Sequence, residues 1–379
     1  MIAPCADGTN LRILGGTNAA GIAIDVTIID GIQSTNQLDG RYLDATGLTV
    51  APGFIDLQIN GAYGWDFTTD PESIWTVGAQ LPSTGVTSFC PTIITAPPER
   101  TEAARAAIAA RPDGYVGASP LGLHLEGPHL APSRRGTHPE HLLRDPGSDQ
   151  PPTDGVAIVT IAPELPGAIE RIRHLTNEGI VVSIGHSAAS TAEALAALDA
   201  GATFGTHVFN AMPPITGREP GIVGALLTDR RSHFGLICDG QHLDPTTIRL
   251  AWMAAADRLV LITDAIEATG MPQGRYRIGD VDVTVEGSAV RNEAGALAGA
   301  VTTLDTALRM FAAIIDEDLA TVLPVVTTHP AAVVRQPDIG AVQLGTRGDI
   351  VLLDGFTVVA TVIGGHVAHL SERGRLVTG

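Results

Sequence analysis

Eight short apolar segments, rich in β-branched and aliphatic residues, recur through the middle of the chain. They span residues 53–59, 86–89, 121–125, 156–161, 180–184, 203–208, 234–237 and 259–262. Most are separated by stretches of helical character, at residues 99–110, 165–178, 191–199 and 246–256. Strand followed by helix, repeated eight times, requires parallel pairing through crossover helices. The sequence therefore predicts an α/β fold in the form of a closed (β/α)8 TIM-like barrel.

Polar residues follow four of these segments. Glu126 ends the third, His186 follows the fifth, His207 lies in the sixth and Asp264 follows the eighth. The carboxyl ends of barrel strands meet at one rim, where barrel enzymes carry their chemistry, so these four side chains should lie together. A doubly wound open sheet, the competing layout, would not normally spread polar residues so widely around one pocket.

The two ends of the chain are strand-like but are each too small to bury a core comfortably. The sequence predicts that residues 1–50 and 340–379 together form a small β-sandwich, and that residues 51–339 form the barrel. A further strand-rich piece near residues 275–290 is interpreted as a hairpin excursion from the barrel.

Glu126, His186 and His207 supply one carboxylate and two imidazoles, and Asp264 supplies a second carboxylate for proton transfer. That set is what a catalytic zinc with an open position needs. Each residue also has an ordinary alternative: a partly buried structural histidine, a loop carboxylate, or an aspartate that caps a following helix. The joint pattern favours the metal site. Because Ser187 lacks the Gly-x-Ser-x-Gly spacing of a nucleophile elbow, a serine hydrolase is disfavoured.

The composition excludes several kinds of chemistry. All 23 basic residues are arginine, so no lysine can bridge two metals, form a Schiff base or serve a phosphate-binding loop. A formal net charge of -18 argues against nucleic acid or an anionic membrane as a partner. Cys5, Cys90 and Cys238 show no metal-binding or redox spacing and are expected to be small core residues in a reducing compartment. No signal-peptide pattern and no long apolar stretch is present, so a cytoplasmic location is predicted.

Several motifs together carry a family resemblance. They are His-Leu-Glu-Gly-Pro at 124–128, Arg-Gly-Thr-His at 135–138, Gly-His-Ser at 185–187, His-x-Phe-Asn-Ala-Met-Pro at 207–213, Thr-Gly-Arg-Glu-Pro-Gly at 216–221, Asp-Gly-x-His at 239–242 and Thr-Asp-Ala at 263–265. With these motifs the chain resembles the N-acetylglucosamine-6-phosphate deacetylases of the amidohydrolase superfamily. The resemblance runs in order along the chain from residue 52 to residue 349.

The resemblance implies a role for each matching residue. Glu126, His186 and His207 would hold one divalent metal ion, with water in the open position. Asp264 would act as general base towards that water and then return the proton to the leaving amine. His138 would stabilise the developing oxyanion. The substrate's phosphate would be bound by Asn210, Ala211, Arg218 and His242. At least one of these residues would be supplied by the second subunit of a dimer.

One departure from the wider superfamily has mechanistic weight. Many amidohydrolases carry His-x-His at the end of the first barrel strand, where this chain has Gln58-Ile59-Asn60. Amides are poor ligands for a divalent cation compared with imidazole, so a single-metal site is expected. Gln58 and Asn60 are instead expected to contact substrate or water. The role of His129, beside the ligand motif, is left open.

The sequence thus predicts a homodimeric deacetylase that converts N-acetylglucosamine 6-phosphate into glucosamine 6-phosphate and acetate. Zinc is the expected metal, and ferrous iron or cobalt would suit the same ligands. The galactosamine epimer is the nearest variant substrate. Two alternatives stay open: hydrolysis of another amide, such as an N-acyl amino acid, and a metal-binding scaffold without activity. Asp264 weighs against the scaffold, because a structural zinc site is closed by a fourth ligand and needs no base.

Overall fold

The computed structural model of the chain describes residues 10–36, 40–148 and 152–377. Its strands are β1 (Leu11–Thr17), β2 (Ala23–Ile29), β3 (Ile32–Ser34), β4 (Tyr42–Asp44), β5 (Thr49–Pro52), β6 (Phe54–Ile59), β7 (Gly61–Ala62), β8 (Trp65–Asp66), β9 (Val86–Ile94), β10 (Ser119–Pro120), β11 (Leu123–Glu126), β12 (Val156–Ile161), β13 (Val181–Ile184), β14 (Phe204–Gly205), β15 (His233–Ile237), β16 (Leu259–Ile262), β17 (Gly274–Ile278), β18 (Val281–Glu286), β19 (Ala289–Asn292), β20 (Ile350–Asp354), β21 (Thr357–Ile363), β22 (His366–Leu370) and β23 (Arg375–Val377). Its helices are α1 (Ser73–Gly78), α2 (Pro98–Ala109), α3 (Ala168–Asn177), α4 (Thr191–Asp199), α5 (Gly221–Thr228), α6 (Pro245–Ala255), α7 (Leu304–Ile315), α8 (Leu319–Val322) and α9 (Thr328–Val333).

Eight parallel strands form the predicted barrel. The order is β6, β9, β11, β12, β13, β14, β15 and β16, each hydrogen-bonded to the next. The last strand closes onto the first just beyond β16: Asp264 N donates to Gln58 O at 2.9 Å and Asn60 N to Ala265 O at 2.8 Å. Strands of a barrel surrounded by helices are covered on both faces, which explains why β6 and β9 are buried along their whole length.

The barrel strands coincide with the eight predicted segments, which confirms the fold class. The sixth differs most, because β14 has only two residues where residues 203–208 were expected to be extended. Beyond Gly205 the chain turns sharply, since His207 and Phe209 adopt positive φ angles of 26° and 78°. The sixth strand is thereby cut short where the chain approaches the rim.

The predicted helices lie close to their expected places, and local capping fixes where they begin. Helix α4 starts at a capping box in which Ser190 and Glu193 bond each other's backbone N–H groups. Helix α6 starts with Pro245 in its first turn, and the Asp244 carboxylate accepts from Thr246 N at 2.7 Å. These caps satisfy backbone donors that the helices cannot satisfy themselves.

Strands from both ends of the chain form one nine-stranded sheet. Its main path runs β22-β21-β20-β5-β1-β2-β3, and β4 joins β1 to β23. Its core takes Leu11, Ile13 and Ile28 from the first segment and Leu352 and Val362 from the last, so neither end buries its apolar residues alone. Because β5 leads directly into the start of β6, this sheet lies at the end of the barrel opposite the carboxyl ends of its strands.

The strand-rich piece after the eighth barrel strand is a three-stranded antiparallel sheet, β17-β18-β19. Its apolar face, which includes Ile278, Val283 and Val285, packs against Ile94 and Ile266. This sheet therefore covers the rim of the barrel beside the second strand.

Within the described residues, no helix is long and apolar enough to cross a membrane. Cys90 and Cys238 are buried free thiols, as expected for core residues, and Cys5 lies outside the described residues.

Candidate active site

Four polar side chains converge at the carboxyl ends of the barrel strands, as predicted. Glu126 is the last residue of β11, and His186, His207 and Asp264 each lie two residues beyond β13, β14 and β16. The latter three have positive φ angles of 47°, 26° and 52°. Such backbone costs on the order of 1 to 3 kcal/mol per residue and persists only where the surrounding structure enforces it. The strain turns the chain where each strand ends, at the residues whose side chains meet.

Glu126, His186 and His207 form a compact triangle. Oε1 of Glu126 lies 3.1 Å from Nε2 of His186 and 2.9 Å from Nε2 of His207, and the two Nε2 atoms are 3.0 Å apart. All three residues are buried, and they form a group of potential metal ligands within the part of the chain that the structure describes.

The hydrogen bonds around the triangle fit a cation. Nδ1 of His186 donates to Arg134 O at 2.8 Å, which places the Nε2 lone pair towards Glu126 and His207. Carboxylate oxygen and imidazole lone pairs in such proximity repel one another unless a proton or a metal ion lies between them. Tetrahedral ligands of zinc stand about 3.3 Å apart, close to the distances within the triangle. The residues present therefore fit one divalent ion with a side open towards the pocket.

The pKa values of Glu126 and His207 also indicate that positive charge stabilises the triangle. Burial alone would raise the pKa of Glu126, but hydrogen bonds and charge interactions with His186 and His207 outweigh it and hold the pKa well below its usual range. Burial opposes a charged His207, but the hydrogen bond and charge of Glu126 outweigh burial and raise the pKa of that imidazole. Glu126 is thus an anion held by positive charge, which either protons or a metal ion can supply.

Asp264 is a second buried carboxylate beside the triangle. Its Oδ1 accepts hydrogen bonds from Asn60 Nδ2 at 2.8 Å and from Gln58 Nε2 at 3.4 Å. Burial, followed by the negative charge of Glu126, raises its pKa to about 6. A carboxylate with a pKa nearer neutrality both accepts and returns a proton more readily than an ordinary aspartate. No helix follows Asp264 directly, so the capping role considered from the sequence does not apply.

Gln58 and Asn60 lie beneath these carboxylates and not on the wall of the pocket. Both are almost completely buried, at 0% and 1% exposure. Gln58 Nε2 donates to Glu126 Oε1 at 3.0 Å, and its Oε1 accepts from Thr206. The structure shows both amides as partners of Glu126 and Asp264, and their expected contact with substrate or water stays a prediction.

His138 lies next to the triangle, on the loop that follows β11. Its ring packs edge-on against that of His186, with centroids 4.6 Å apart, and its Nε2 lies 3.8 Å from Glu126 Oε2. Burial, followed by the positive charge of His186, lowers its pKa to about 3. Burial and neighbouring charge therefore favour the neutral imidazole, which can donate one hydrogen bond from one ring nitrogen.

A cavity of about 330 Å³ opens above the triangle. Glu126, His138, His186, His207 and Asp264 line its floor. Its walls carry the predicted substrate-binding residues Asn210, Ala211 and His242, together with Ile94, Ile237, Ile278 and Leu297. The last two of these belong to the β17-β19 excursion and the segment after it, so that excursion forms part of the pocket.

His242 is held at the pocket wall by Asp239. Its Nδ1 donates to Asp239 Oδ2 at 2.8 Å, and Asp239 Oδ1 accepts from the backbone N–H groups of His242 and Gln241 at 2.9 Å each. Burial alone would raise the pKa of Asp239, but these hydrogen bonds and the His242 charge lower it. The ionised carboxylate fixes the orientation of the imidazole.

Arg218 is not brought to this pocket. Its side chain is exposed, and it does not line the cavity in the single chain. The ordinary alternative, a pair with Glu219, is not seen among the described residues either, because the Glu219 carboxylate accepts from Thr191 and Gly221 instead. The expected phosphate contact thus has no support within one chain.

Sequence reasoning missed Arg134, which lines the cavity. Its Nε is buried and has no hydrogen-bond partner among the described residues. The adjacent Arg135, in contrast, is tied to Glu140 at 3.3 Å and to the carbonyl of His138 at 3.2 Å. The only available signal was the position of Arg134 between two predicted site residues. His129 is buried and lies outside the triangle.

Comparisons with known proteins show the family to which the chain belongs. Residues 49–368 match the model of the amidohydrolase family. The chain is 40% identical to the rat N-acetylglucosamine-6-phosphate deacetylase, over 99% of this chain and 98% of that protein. It is 35% identical to the N-acetylgalactosamine-6-phosphate deacetylase of Escherichia coli O157:H7, over 98% of this chain and 95% of that protein.

Among solved structures, a mutant N-acetyl-D-glucosamine-6-phosphate deacetylase from Mycobacterium smegmatis, in complex with N-acetyl-D-glucosamine-6-phosphate, superposes with a TM-score of 0.85. It is 31% identical, and the match covers 97% of this chain and all of that one, 100%. The family match spans most of the chain and the curated relatives span nearly all of it, so the chain is a member of the amidohydrolase family of metal-dependent hydrolases.

Proposed function

We propose that this enzyme hydrolyses the acetamide of N-acetylglucosamine 6-phosphate to glucosamine 6-phosphate and acetate. The observation that carries the proposal is the position of Asp264. It is a free carboxylate with a raised pKa, beside a Glu126-His186-His207 triangle that opens into a pocket. The relatives named for this reaction, and the neighbour with this sugar phosphate bound, supply the substrate class.

Glu126, His186 and His207 are the residues that would hold the metal ion. Two imidazoles and a carboxylate suit zinc, and ferrous iron and cobalt are accommodated by the same ligands. A divalent ion there would make water nucleophilic near neutral pH and polarise the acetamide carbonyl. Gln58 and Asn60 stand where other family members would need further imidazole ligands, and both amides are already engaged by the two carboxylates. One ion per chain is therefore proposed.

Asp264 and His138 divide the remaining chemistry between them. Asp264 takes a proton from the attacking water and returns it to the nitrogen as the C–N bond breaks, because an amine leaves far more readily when protonated. His138 donates a hydrogen bond to the carbonyl oxygen as negative charge develops there. Both side chains line the floor of the same cavity, so one bound amide can reach them together.

The phosphate group is assigned to the polar wall of the pocket. Asn210, Ala211 and His242 lie there, and Arg134 adds a guanidinium to them. A phosphate dianion approaching a chain of net charge -18 needs such local positive charge. Arg218 would contribute only if a second copy of the chain brings it to the pocket, so its role is coupled to the proposed homodimer. A cytoplasmic location, where sugar phosphates are made, remains part of this proposal.

Acetate release tests the reaction. The zinc-loaded protein would be given N-acetylglucosamine 6-phosphate, its galactosamine epimer, N-acetylglucosamine without phosphate and an N-acetyl amino acid. We expect rapid release from the first compound and at least 100-fold lower kcat/KM without the phosphate. Preference for the epimer would reassign the sugar and keep the chemistry, a possibility that the E. coli O157:H7 relative raises. Release from the amino acid alone, or from none of them with one metal bound, would refute the proposal.

A further inference from the structure

Thr95 is a buried threonine at the end of the second barrel strand that no motif singled out. It is the first residue after β9 and is 4% exposed. Its backbone N–H donates to Nδ1 of His138 at 3.3 Å, and its hydroxyl lies 2.9 Å from the same nitrogen. The hydroxyl is also 3.3 Å from the carbonyl oxygen of Glu126. One residue thus places two hydrogen-bonding groups on one side of the His138 ring.

These contacts decide which ring nitrogen of His138 carries the proton. A backbone N–H can only donate, so Nδ1 must present its lone pair to Thr95. A proton on Nδ1 would point at the N–H hydrogen and leave a buried donor without an acceptor, which costs on the order of 1 to 3 kcal/mol. The hydroxyl lies closer, at 2.9 Å, and can give its proton to the same lone pair, so it holds Nδ1 as an acceptor together with the N–H. The neutral ring is then left with its proton on Nε2.

The opposite side of the ring favours the same tautomer. Nε2 of His138 faces Oε2 of Glu126 at 3.8 Å, where an N–H is attracted to the carboxylate and a lone pair is repelled. The pocket lies on this side as well, because His138 and Glu126 both line it. The Nε2 proton is thus available to the cavity.

The ring and the backbone of His138 are both fixed. The guanidinium of Arg135 donates to the His138 carbonyl at 3.2 Å, and His138 N donates to Arg135 O at 3.0 Å. Gly127 leaves room for the threonine hydroxyl, because a Cβ on that glycine would lie 2.1 Å from Thr95 Oγ1. Thr95 is therefore closely packed at its hydroxyl, and its contact with Nδ1 sets the orientation of the imidazole.

We propose that Thr95 is a positioning residue which keeps Nδ1 of His138 as an acceptor, leaves the ring proton on Nε2 and aims that N–H into the pocket. Its importance for catalysis rests on the proposed function, in which His138 stabilises the oxyanion. The tautomer itself does not depend on the reaction. With the Nδ1-protonated form, the ring would present a lone pair to the carbonyl oxygen and would repel the developing charge.

The test compares Thr95→Val, which removes the hydroxyl while keeping the shape, with Thr95→Ser, which restores it. Thr87→Val is the matched control, because Thr87 is a buried threonine on the same strand whose hydroxyl contacts only Phe54 O among the bonds described. Tautomers would be measured in the zinc-loaded protein by nitrogen-15 NMR of histidine side chains. The His138 signals would be assigned by their loss in His138→Gln.

We expect the wild-type spectrum to show His138 protonated on Nε2. Thr95→Val should shift its Nδ1 signal and lower kcat at least tenfold, with KM within about twofold. Thr95→Ser and Thr87→Val should stay within about twofold of wild type in both parameters. An Nδ1-protonated His138 in the wild type, or a Thr95→Val variant that matches Thr87→Val, would overturn the inference. If the wild type releases no acetate, the proposed function fails, and the spectra still decide the tautomer.

Discussion

Gln58 donates a hydrogen bond from Nε2 to Oε1 of Glu126 at 3.0 Å, the same oxygen that His186 and His207 approach at 3.1 and 2.9 Å. The carboxylate oxygen best placed to bind a metal ion is therefore held from below by a neutral amide. The other half of the amide accepts from Thr206, which fixes its orientation. Gln58 thus has the position of a residue that orients a ligand without binding the metal itself.

This relationship predicts the behaviour of Gln58→Leu. Leucine fills a similar volume but offers no donor, so Glu126 loses the contact that orients it. We expect zinc affinity to fall roughly 10- to 100-fold, the usual effect of removing an outer partner of a metal ligand. The measurement is the zinc retained by the protein at increasing concentrations of a chelator.

Gln33→Leu is the matched control for that experiment. Gln33 is also a buried glutamine, 5% exposed, and its amide donates to Thr346, Ala341 and Arg347 in the terminal sheet. The Gln33→Leu variant should have a lower melting temperature, but it should lose half of its zinc at the same chelator concentration as the wild type. If both variants lose half of their zinc at the same chelator concentration, Gln58 only supports the fold.

Asp264→Asn should separate metal binding from turnover. Its side-chain oxygen can still accept from Asn60 and Gln58, so the geometry survives while the base is lost. We expect one zinc per chain and a kcat lower by roughly 10²- to 10⁴-fold. Asp66→Asn is the control, because Asp66 is a buried aspartate whose pKa is also raised by burial, which accepts from Thr69 and Gly279 and which does not itself line the cavity. Near-normal turnover in Asp264→Asn would refute the proton-transfer role.

Arg134→Gln should weaken binding of the phosphorylated substrate specifically. Loss of a charge-assisted hydrogen bond to phosphate, worth roughly 1.5 to 3 kcal/mol, should raise KM about 10- to 100-fold and leave kcat close to wild type. Activity towards the sugar without phosphate should not change. Arg105→Gln is the control, because that guanidinium is engaged by Glu102 and Asp154 and does not line the cavity. The measurement is the KM of each variant for both sugars.

Arg218→Gln extends the same comparison to the proposed homodimer. The exposed Arg218 does not reach the cavity of its own chain, so a raised KM would require that a partner chain supplies it. The mass of the protein in solution would be determined alongside. If Arg134→Gln behaves like Arg105→Gln while Arg218→Gln raises KM, the phosphate is bound across an interface and Arg134 has no part in it.

The barrel and the converging residues could be predicted because both depend on periodic, local features. Buried parallel strands are nearly continuous apolar runs, and the polar residue after each run falls at one rim. Helix α5 was not among the predicted helices, because its residues are apolar on every side and give no helical period. The shortened β14 was missed because it depends on positive φ angles at His207 and Phe209 that nothing in their residue types requires.

Contacts between distant residues could not be predicted. Gln58 and Asn60 were expected to contact substrate or water. Their hydrogen bonds to Glu126 and Asp264 were not predicted, since an amide near a metal site has no periodic signal that shows which side chain it meets. Thr95 and His138 are 43 residues apart and meet only because the loop after the third strand folds back over the end of the second. The polar residue that follows each strand could be identified from the sequence, but the distant residue to which it forms a hydrogen bond could not.

Asp56 carries a prediction about stability. This residue is 2% exposed and lies in β6 beneath the site. Its carboxyl group accepts from Thr263 Oγ1 at 2.6 Å, Thr263 N at 3.3 Å and Gln58 N at 3.2 Å. Burial is the largest influence and raises the pKa of Asp56 to about 7, although the three hydrogen bonds oppose it. The folded protein therefore retains a proton that the unfolded chain releases near pH 4.

The sign of the pH dependence follows from that difference in protons. Because the folded state binds more protons between about pH 4 and pH 7, the free energy of unfolding falls as the pH rises through this window. In Asp56→Asn the side chain no longer titrates, and its amide group can donate a hydrogen bond to Thr263 Oγ1. The Thr263 hydroxyl can then donate to Gln58 O at 3.3 Å. The variant should match the wild type near pH 4 and exceed its stability by about 3 to 4 kcal/mol at pH 7.

Melting temperatures of the two proteins, measured from pH 4 to pH 8 after removal of metal, would check this prediction. Asp282→Asn serves as the control, because that side chain is 74% exposed and its substitution should change the melting temperature only slightly. For Asp56→Asn the difference from wild type should grow steadily up to pH 7 and then level off, since above the folded pKa both states of the wild type have released the proton. A difference that stays constant across the range would mean that Asp56 is already ionised in the folded protein and that its three donors outweigh its burial.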